Sequence, residues 1–263
     1  MILENTQVQT VNCLPHVFPF RFVDDVLLGE KQIFVTEKKA EIFPDNKPFH
    51  YPHALLIEHA AQTMFIHGYH IGLSEGWWGE QYNPTGFLTG LSNARFTNYE
   101  IQPQDSILTK TEVIRICRPM LIVKTTITIF GQIVLFEGTI SGIFTNEVCH
   151  KKTRQDFEVS NEVDRIYFDR DHKGTFFNSN NWFLPGHFPD FKCYPGCLII
   201  EGVKQSIHPN LKFSCINKAR FRKVMTPDNK YYFITSLIKD NRYSFVVIEN
   251  SSEAICAEGE FEV

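Results

Sequence analysis

Tyr51-Pro52-His53-Ala54-Leu55-Leu56-Ile57-Glu58, with Gln62 four residues beyond, and Tyr194-Pro195-Gly196-Cys197-Leu198-Ile199-Ile200-Glu201, with Gln205 four beyond, read as two copies of one element in a chain of 263 residues. Proline in second place suits a helix entrance, because the N–H it lacks is one that the first helical turn leaves unbonded anyway. The run that follows in the first copy, Ala54 to Ile66, is apolar nearly all round, which predicts an enclosed helix rather than a surface one. Two further pairs flank this element in the same order. Val23-Asp24-Asp25-Val26 is answered by Val163-Asp164-Arg165-Ile166, and Asn93-Ala94-Arg95-Phe96 by Lys218-Ala219-Arg220-Phe221. Three landmarks in one order imply a tandem repeat. The first copy carries an extra segment after its helix, around Gly76-Trp77-Trp78-Gly79, whose tryptophans could cap a tunnel mouth or simply pack.

After each helix, alternating apolar runs predict three long strands. They fall at about 107–116, 121–130 and 133–144 in the first copy, with turns at Arg118-Pro119 and Gly131, and at about 231–238, 243–249 and 254–263 in the second. Each copy is thus predicted as a strand, a buried helix and a hairpin-connected antiparallel sheet that encloses it, an α+β class. The boundaries expected are a first half over 1–147, a polar linker over 148–161 and a second half over 162–263. The composition agrees: 43% of residues are hydrophobic and 24 are Phe, which favours a sheet-rich core built on aromatic rings.

The formal net charge of −4, from 26 basic and 30 acidic side chains, argues against binding nucleic acid through bulk charge. It leaves room for a local basic patch. Lys218, Arg220, Arg222 and Lys223 form such a cluster, either a solvated face or a surface for an acidic partner. The seven cysteines are scattered and form no Cys-x-x-Cys pair, so they read as reduced thiols, and no metal site is expected. His59, His67 and His70 fall on or just beyond the first helix without metal-ligand spacing and read as core or surface histidines. The N-terminus has no basic segment followed by an apolar one, and no window is apolar enough to span a bilayer, so a soluble cytoplasmic protein is expected.

Buried helices seldom carry acids, yet each copy places one, Glu58 and Glu201, a turn ahead of a glutamine on the same face. A hydrogen-bonded structural carboxylate is one reading; an acid poised for chemistry is the other. The second copy adds His187, fourteen residues before Glu201 (201 minus 187).

At these residues the chain resembles the 3-hydroxyacyl-ACP dehydratases of fatty-acid synthesis. Gly186-His187-Phe188-Pro189 through Tyr194 to Glu201 is similar to that family's active-site block, Leu14-Pro15-His16-Val17-Phe18-Pro19-Phe20-Arg21-Phe22-Val23-Asp24 to its opening segment, and Ala94-Arg95-Phe96 and Ala219-Arg220-Phe221 to its strand entry after the helix. The resemblance implies a hot-dog fold, here a double hot-dog in which two antiparallel sheets each wrap a central helix and pair as an intrachain pseudo-dimer. It implies one working site, with His187 of the second half as base and Glu58 of the first half as acid, and with Gly196 and Gln62 at the oxyanion and substrate. Glu201 and His53 would mark a degenerate second site. The position corresponding to His187 there is Ile42, His53 stands where Gly196 does, and His50 is a weak substitute. His16 reads as a packing residue of the opening segment.

The chemistry asks for these residue types. Dehydration removes a weakly acidic α-proton, which an imidazole can accept near neutral pH, and protonates a departing hydroxyl, which a carboxyl kept neutral by an apolar tunnel can do. An amide at a helix N-terminus, as at Gly196, suits the enolate oxygen. The resemblance also implies an acyl thioester substrate carried on the phosphopantetheine of acyl carrier protein, with no cofactor of the protein's own; a homo-oligomer of the paired halves is a further expectation. Two other functions stay open from sequence: a non-catalytic acyl-ACP-binding or scaffolding subunit, and a hot-dog thioesterase.

Overall fold

The computed structural model describes residues 13–16, 20–39, 52–78, 84–102, 104–145, 168–171, 174–177, 187–188, 191–208 and 211–263. The expected linker over 148–161, together with Ile42 and His50, lies outside the described residues. In the first part of the chain come β1 (Asp25–Gly29) and β2 (Ile33–Lys39), helix α1 (Pro52–Ser74), then β3 (Thr85–Phe96), β4 (Ser106–Cys117), β5 (Met120–Ile129) and β6 (Ile133–Thr145). In the second come β7 (Phe168–Asp171) and β8 (Gly174–Phe177), helix α2 (Gly196–Ile207), then β9 (Cys215–Phe221), β10 (Tyr231–Lys239), β11 (Arg242–Glu249) and β12 (Ile255–Glu262). Among the described residues each copy therefore runs two strands, a helix and four strands. This corrects the expectation of one strand before the helix and three after it.

The strands form one antiparallel sheet in the order β1-β2-β4-β5-β6-β3-β9-β12-β11-β10-β8-β7. Its two parts join through β3 and β9, whose partners include Leu91 with Ala219 and Ser92 with Lys218. The Ala-Arg-Phe landmarks of the repeat thus lie on the two central strands. Along β4, β5 and β6 buried residues alternate with partly buried ones, so one face of the sheet is enclosed and the other is partly open to water. The buried face packs against the helices. In α1 Leu55, Ile57, Ala60, Met64 and Ile71 are all buried, as the run without a polar face predicts. Phe136, Phe213, Phe245 and Phe261 fill the space between sheet and helices. Gly68 and Gly72 let aromatic rings approach α1 closely: a methyl group on Gly68 would meet Phe144 of β6, and one on Gly72 would meet Trp78 beyond the helix end, each at 2.0 Å. Trp77 and Trp78 are buried packing residues, with Trp78 stacked on Tyr69 at 6.2 Å. Among the described residues no helix is long and apolar enough to cross a membrane, and the described cysteines are free thiols.

Candidate active site

Glu58 sits on the second turn of α1, among residues that are buried on every side of the helix, and it is 4% exposed. One turn on, Gln62 holds it. The Gln62 amide donates to Glu58 Oε1 at 2.7 Å and to the Phe20 carbonyl at 2.9 Å, while its own oxygen accepts the Phe22 N–H at 2.8 Å. Gln62 is fully buried and committed to these three bonds. Its expected place at the substrate is therefore corrected: it anchors the opening segment to α1 and orients the acid.

His187 comes from the second half and is also buried. Its Nδ1 lies 3.0 Å from the Cys193 carbonyl, a contact only an N–H can make favourably, so the proton belongs on Nδ1 and the lone pair on Nε2. The ring packs edge-on against Phe188 and Phe20, at 4.3 and 5.3 Å between centroids. His187 and Glu58 line one cavity of about 190 Å³, with Gly196, Ala61, Phe65 and Phe87 among its other walls. Glu58 and His187, 129 positions apart (187 minus 58), are thus neighbours across the two halves.

A third residue joins them that sequence reasoning set aside as packing. His16 is 3% exposed and places Nε2 3.4 Å from Glu58 Oε1, with its ring 5.1 Å from that of His187. Donor atoms of His16, Glu58 and His187 all lie within 4.8 Å of one another. The signal available in sequence was its position: His16 shares a short segment with Phe20 and Phe22, the two residues that Gln62 grips beside Glu58.

Burial sets the protonation states. It pushes the Glu58 carboxyl up to about 7, against the pull of the hydrogen bonds from Gln62 and from the Cys197 thiol. It pushes the His187 imidazole down to about 3, against the stabilising Cys193 carbonyl. The Cys197 thiol is driven well above its usual range by burial and by Glu58, so it is inert as a nucleophile. A neutral imidazole thus faces a carboxyl that keeps its proton near neutrality. Gly196 opens α2 after Pro195 and borders the cavity, and a methyl group there would meet Leu88 at 2.8 Å, so glycine leaves this first-turn amide approachable.

The counterpart in α2 is built differently. Glu201 is 1% exposed and bonded to Lys204 Nζ at 2.7 Å and Gln205 Nε2 at 2.8 Å. Burial raises its carboxyl while the Lys204 charge opposes the rise. His53 is wedged against Phe96 at 4.5 Å and Phe213 at 5.8 Å, and burial, with Lys204 and Lys212 behind it, drives its imidazole down to about 4. Lys204 was legible in the repeat: three residues past each glutamate, α1 has Ala61, which lines the cavity, and α2 has a lysine.

Of the basic cluster, Arg222 and Lys223 border the active-site cavity. Lys218, Arg220 and Arg222 line an adjoining groove of about 540 Å³ on the sheet, opposite the hydroxyls of Thr89, Ser92, Thr139 and Ser141. Arg222 pairs with Glu258, and Lys223 with Glu249 at 2.6 Å.

The ApeI-like family, described as ApeI dehydratase, matches residues 171–260. The chain is 32% identical over 96 residues to 3-hydroxyacyl-acyl-carrier-protein dehydratase FabZ of Petrotoga mobilis, covering 32% of this chain and 69% of that enzyme. It is also 32% identical over 104 residues to the FabZ of Shewanella denitrificans, covering 31% and 68%. Among solved structures, an acyl-ACP thioesterase from Bacteroides thetaiotaomicron superposes with a TM-score of 0.55 at 13% identity, over 88% of this chain and 97% of that one, a likeness of fold alone. The fold therefore extends over both halves, and the relatives that share sequence across more than two thirds of their own length carry one name: this chain belongs to the 3-hydroxyacyl-acyl-carrier-protein dehydratase family.

Proposed function

We propose that the protein dehydrates 3-hydroxyacyl chains carried on acyl carrier protein to trans-2-enoyl thioesters, at one site shared between its two halves. The observation that carries this reading is the pairing of a neutral imidazole, His187, with a carboxyl held near neutrality, Glu58, on one apolar cavity. His187 Nε2 takes the α-proton while Nδ1–H stays on the Cys193 carbonyl. The Gly196 N–H receives the thioester oxygen as enolate charge develops. Glu58 has Oε1 engaged by Gln62, which leaves the proton to Oε2. That proton passes to the 3-hydroxyl, the C–O bond breaks, and water leaves with the electrons of the former Cα–H bond now in the double bond. Return of the proton from the imidazolium to the carboxylate resets the pair. His16, at 3.4 Å from Glu58, is a positioning residue that fixes the carboxyl's rotamer.

In this reading residues 1–147 and 162–263 are two hot-dog halves that act as an intrachain pseudo-dimer, joined by the linker 148–161. The Glu201 site is silent, because its carboxylate is committed to Lys204. Lys218, Arg220, Arg222 and Lys223 receive the acidic carrier and its phosphopantetheine phosphate. The reaction uses the protein's own side chains and backbone amide and no cofactor, in the cytoplasm.

The test is the ultraviolet absorbance of the conjugated enoyl thioester on incubation with 3-hydroxyacyl carrier protein. Turnover that disappears in His187→Ala and in Glu58→Gln is expected. Release of free acid without enoyl product would make the protein a thioesterase. Binding of acyl carrier protein by folded wild-type protein with no product at all would make it a non-catalytic subunit.

A further inference from the structure

Three segments far apart in sequence bring nitrogen and oxygen donors to one point. His16 comes from the opening segment, Glu58 from α1 and His187 from the second half, and their donor atoms all lie within 4.8 Å of one another. No ligand spacing in the sequence announces such a set, because no two of the three share an element. With metal-to-ligand bonds of roughly 2.0–2.1 Å, the edge of a coordination tetrahedron is about 3.3–3.4 Å. His16 Nε2 and Glu58 Oε1 already stand 3.4 Å apart. The remaining donor, from His187, has to close in by no more than about 1.4 Å (4.8 minus 3.4). The outer bonds that a metal site needs are also in place. The Cys193 carbonyl accepts from His187 Nδ1 at 3.0 Å and leaves Nε2 as the ligand atom, while the Gln62 amide holds the carboxylate at 2.7 Å. Cys193 Sγ lies on the Nδ1 side of the ring, 3.7 Å from that atom, and is not part of the set. Glu58 and His187 border the cavity of about 190 Å³, which leaves a fourth position open toward it.

We propose that His16, Glu58 and His187 form a site for a divalent transition metal, Zn²⁺ above all, and that an ion bound there shuts the reaction. Two imidazoles and one carboxylate suit Zn²⁺ and its neighbours, whereas Mg²⁺ and Ca²⁺ prefer oxygen ligands throughout. The ion takes the lone pair on His187 Nε2 that accepts the α-proton, and it displaces the Glu58 proton to solvent. Acid and base are lost together. Both imidazoles bind as neutral rings, His16 with its proton on Nδ1, and a water at the fourth position that gives up one proton brings the charge of ion, carboxylate and hydroxide to zero. Arg222 and Lys223 border the same cavity, but Glu258 and Glu249 meet their charges, so the approach is not closed to a cation. That the bound ion inhibits rests on the dehydratase reading; that it binds does not.

The experiment titrates the metal-free full chain with Co²⁺, whose visible absorption is intense when four-coordinate and faint when six-coordinate, and then displaces it with Zn²⁺. Wild type should show the four-coordinate bands, without the near-ultraviolet charge transfer that a thiolate ligand adds. Glu58→Gln and His16→Phe should each lose those bands and bind Zn²⁺ at least ~10-fold more weakly by calorimetry, the least that loss of even an outer partner costs. The glutamine variant keeps the Gln62 bond, so it carries the test if His16→Phe does not fold. In parallel, Zn²⁺ should suppress turnover of 3-hydroxyacyl carrier protein, EDTA should restore it, and Mg²⁺ at the same concentration should leave it unchanged. Equal Co²⁺ spectra and Zn²⁺ affinities in wild type and folded variants overturn the proposal, as does turnover that continues with the ion bound; in both cases the dehydratase reading stands. Bands that the variants lose, in a wild type that shows no turnover even with EDTA, uphold the metal site and remove the dehydratase reading instead.

Discussion

Replacing Glu58 by glutamine should nearly abolish activity and at the same time stabilise the protein, by a margin that opens above about pH 4.5 and is complete above about 7. The isostere keeps an oxygen to accept the Gln62 amide and removes the ionisation that burial opposes. The folded state holds the Glu58 proton up to about 7, whereas an unfolded glutamate releases it near 4.5. Between these values the folded chain binds more protons than the unfolded one, so the Glu58 contribution to stability falls as pH rises and is fully unfavourable above 7. The gap of 2.5 units (7 minus 4.5) corresponds to roughly 3 kcal/mol, or on the order of 5–10 °C in melting temperature for a chain of this size. His16, His187 and Cys197 are the titratable groups that face the carboxyl, and they are common to both proteins, so the difference between the two curves isolates Glu58. Thermal unfolding of wild type and Glu58→Gln should coincide near pH 4.5 and separate progressively to pH 8, the variant melting higher, while its turnover is down at least ~100-fold. A gap of the same size at pH 4.5 and pH 8, or a variant less stable at pH 8, would refute a carboxyl held neutral by burial.

Other outcomes follow from the same geometry. Turnover should hold steady below pH 7 and decline above it as Glu58 ionises, read from kcat/KM between pH 5.5 and 9. Glu201→Gln should keep most activity at low temperature yet lower the melting temperature, because it strands the buried Lys204 charge at a cost of about 3–5 kcal/mol; the Glu201→Gln/Lys204→Met double variant should recover stability, and loss of turnover in folded Glu201→Gln would reverse the assignment of the sites. Lys218→Glu with Arg220→Glu should raise KM for carrier-linked substrate at least ~10-fold and leave short pantetheine substrates nearly unaffected, in steady-state assays at low salt. Buried imidazoles at His53, His59, His67 and His187 sit at about 4, 3, 4 and 3; the unfolded chain takes up protons there below about 6.5 and the folded chain does not, so urea midpoints should fall between pH 7 and 5, and His67→Asn should flatten that slope.

The repeated helix motif was legible because a proline entrance and an apolar run impose their structure locally. The hairpins of β4 to β6 and β10 to β12 were legible for the same reason, since period-two alternation marks a half-buried strand. β3 was not. Its sequence carries Gly86, Gly90, Ser92 and Asn93, poor strand formers taken alone, and Asn93 has a positive φ of 50° where the register shifts. Those small residues answer to distant neighbours: Gly86 to the Phe65 ring, Gly90 to the Ala219 carbonyl and the Ser141 hydroxyl. The pairing of His187 with Glu58 came from likeness to a family and not from spacing, because nothing local ties residue 187 to residue 58. His16 and Lys204 escaped notice because each acts on a partner that only tertiary structure or the repeat register reveals. Gln62 was misplaced for a related reason: a glutamine one turn from an acid looks free to meet substrate until its other bonds, to Phe20 and Phe22, are known.

The seam between β3 and β9 joins two differing sequences within one chain. In a symmetric assembly of identical subunits any substitution occurs twice, and a lysine that silences one site silences its twin. Here one gene writes the two helices separately. Lys204 can therefore occupy α2 while Ala61 stays in α1, and under the proposed single-site reading the surroundings of Glu201 are free to drift toward stability or recognition so long as that part of the chain continues to lend His187 and Gly196 to the Glu58 cavity. Descent of such a chain should leave the two halves evolving at unequal rates, with the slower positions divided between them residue by residue according to which side of the seam the single reaction draws upon.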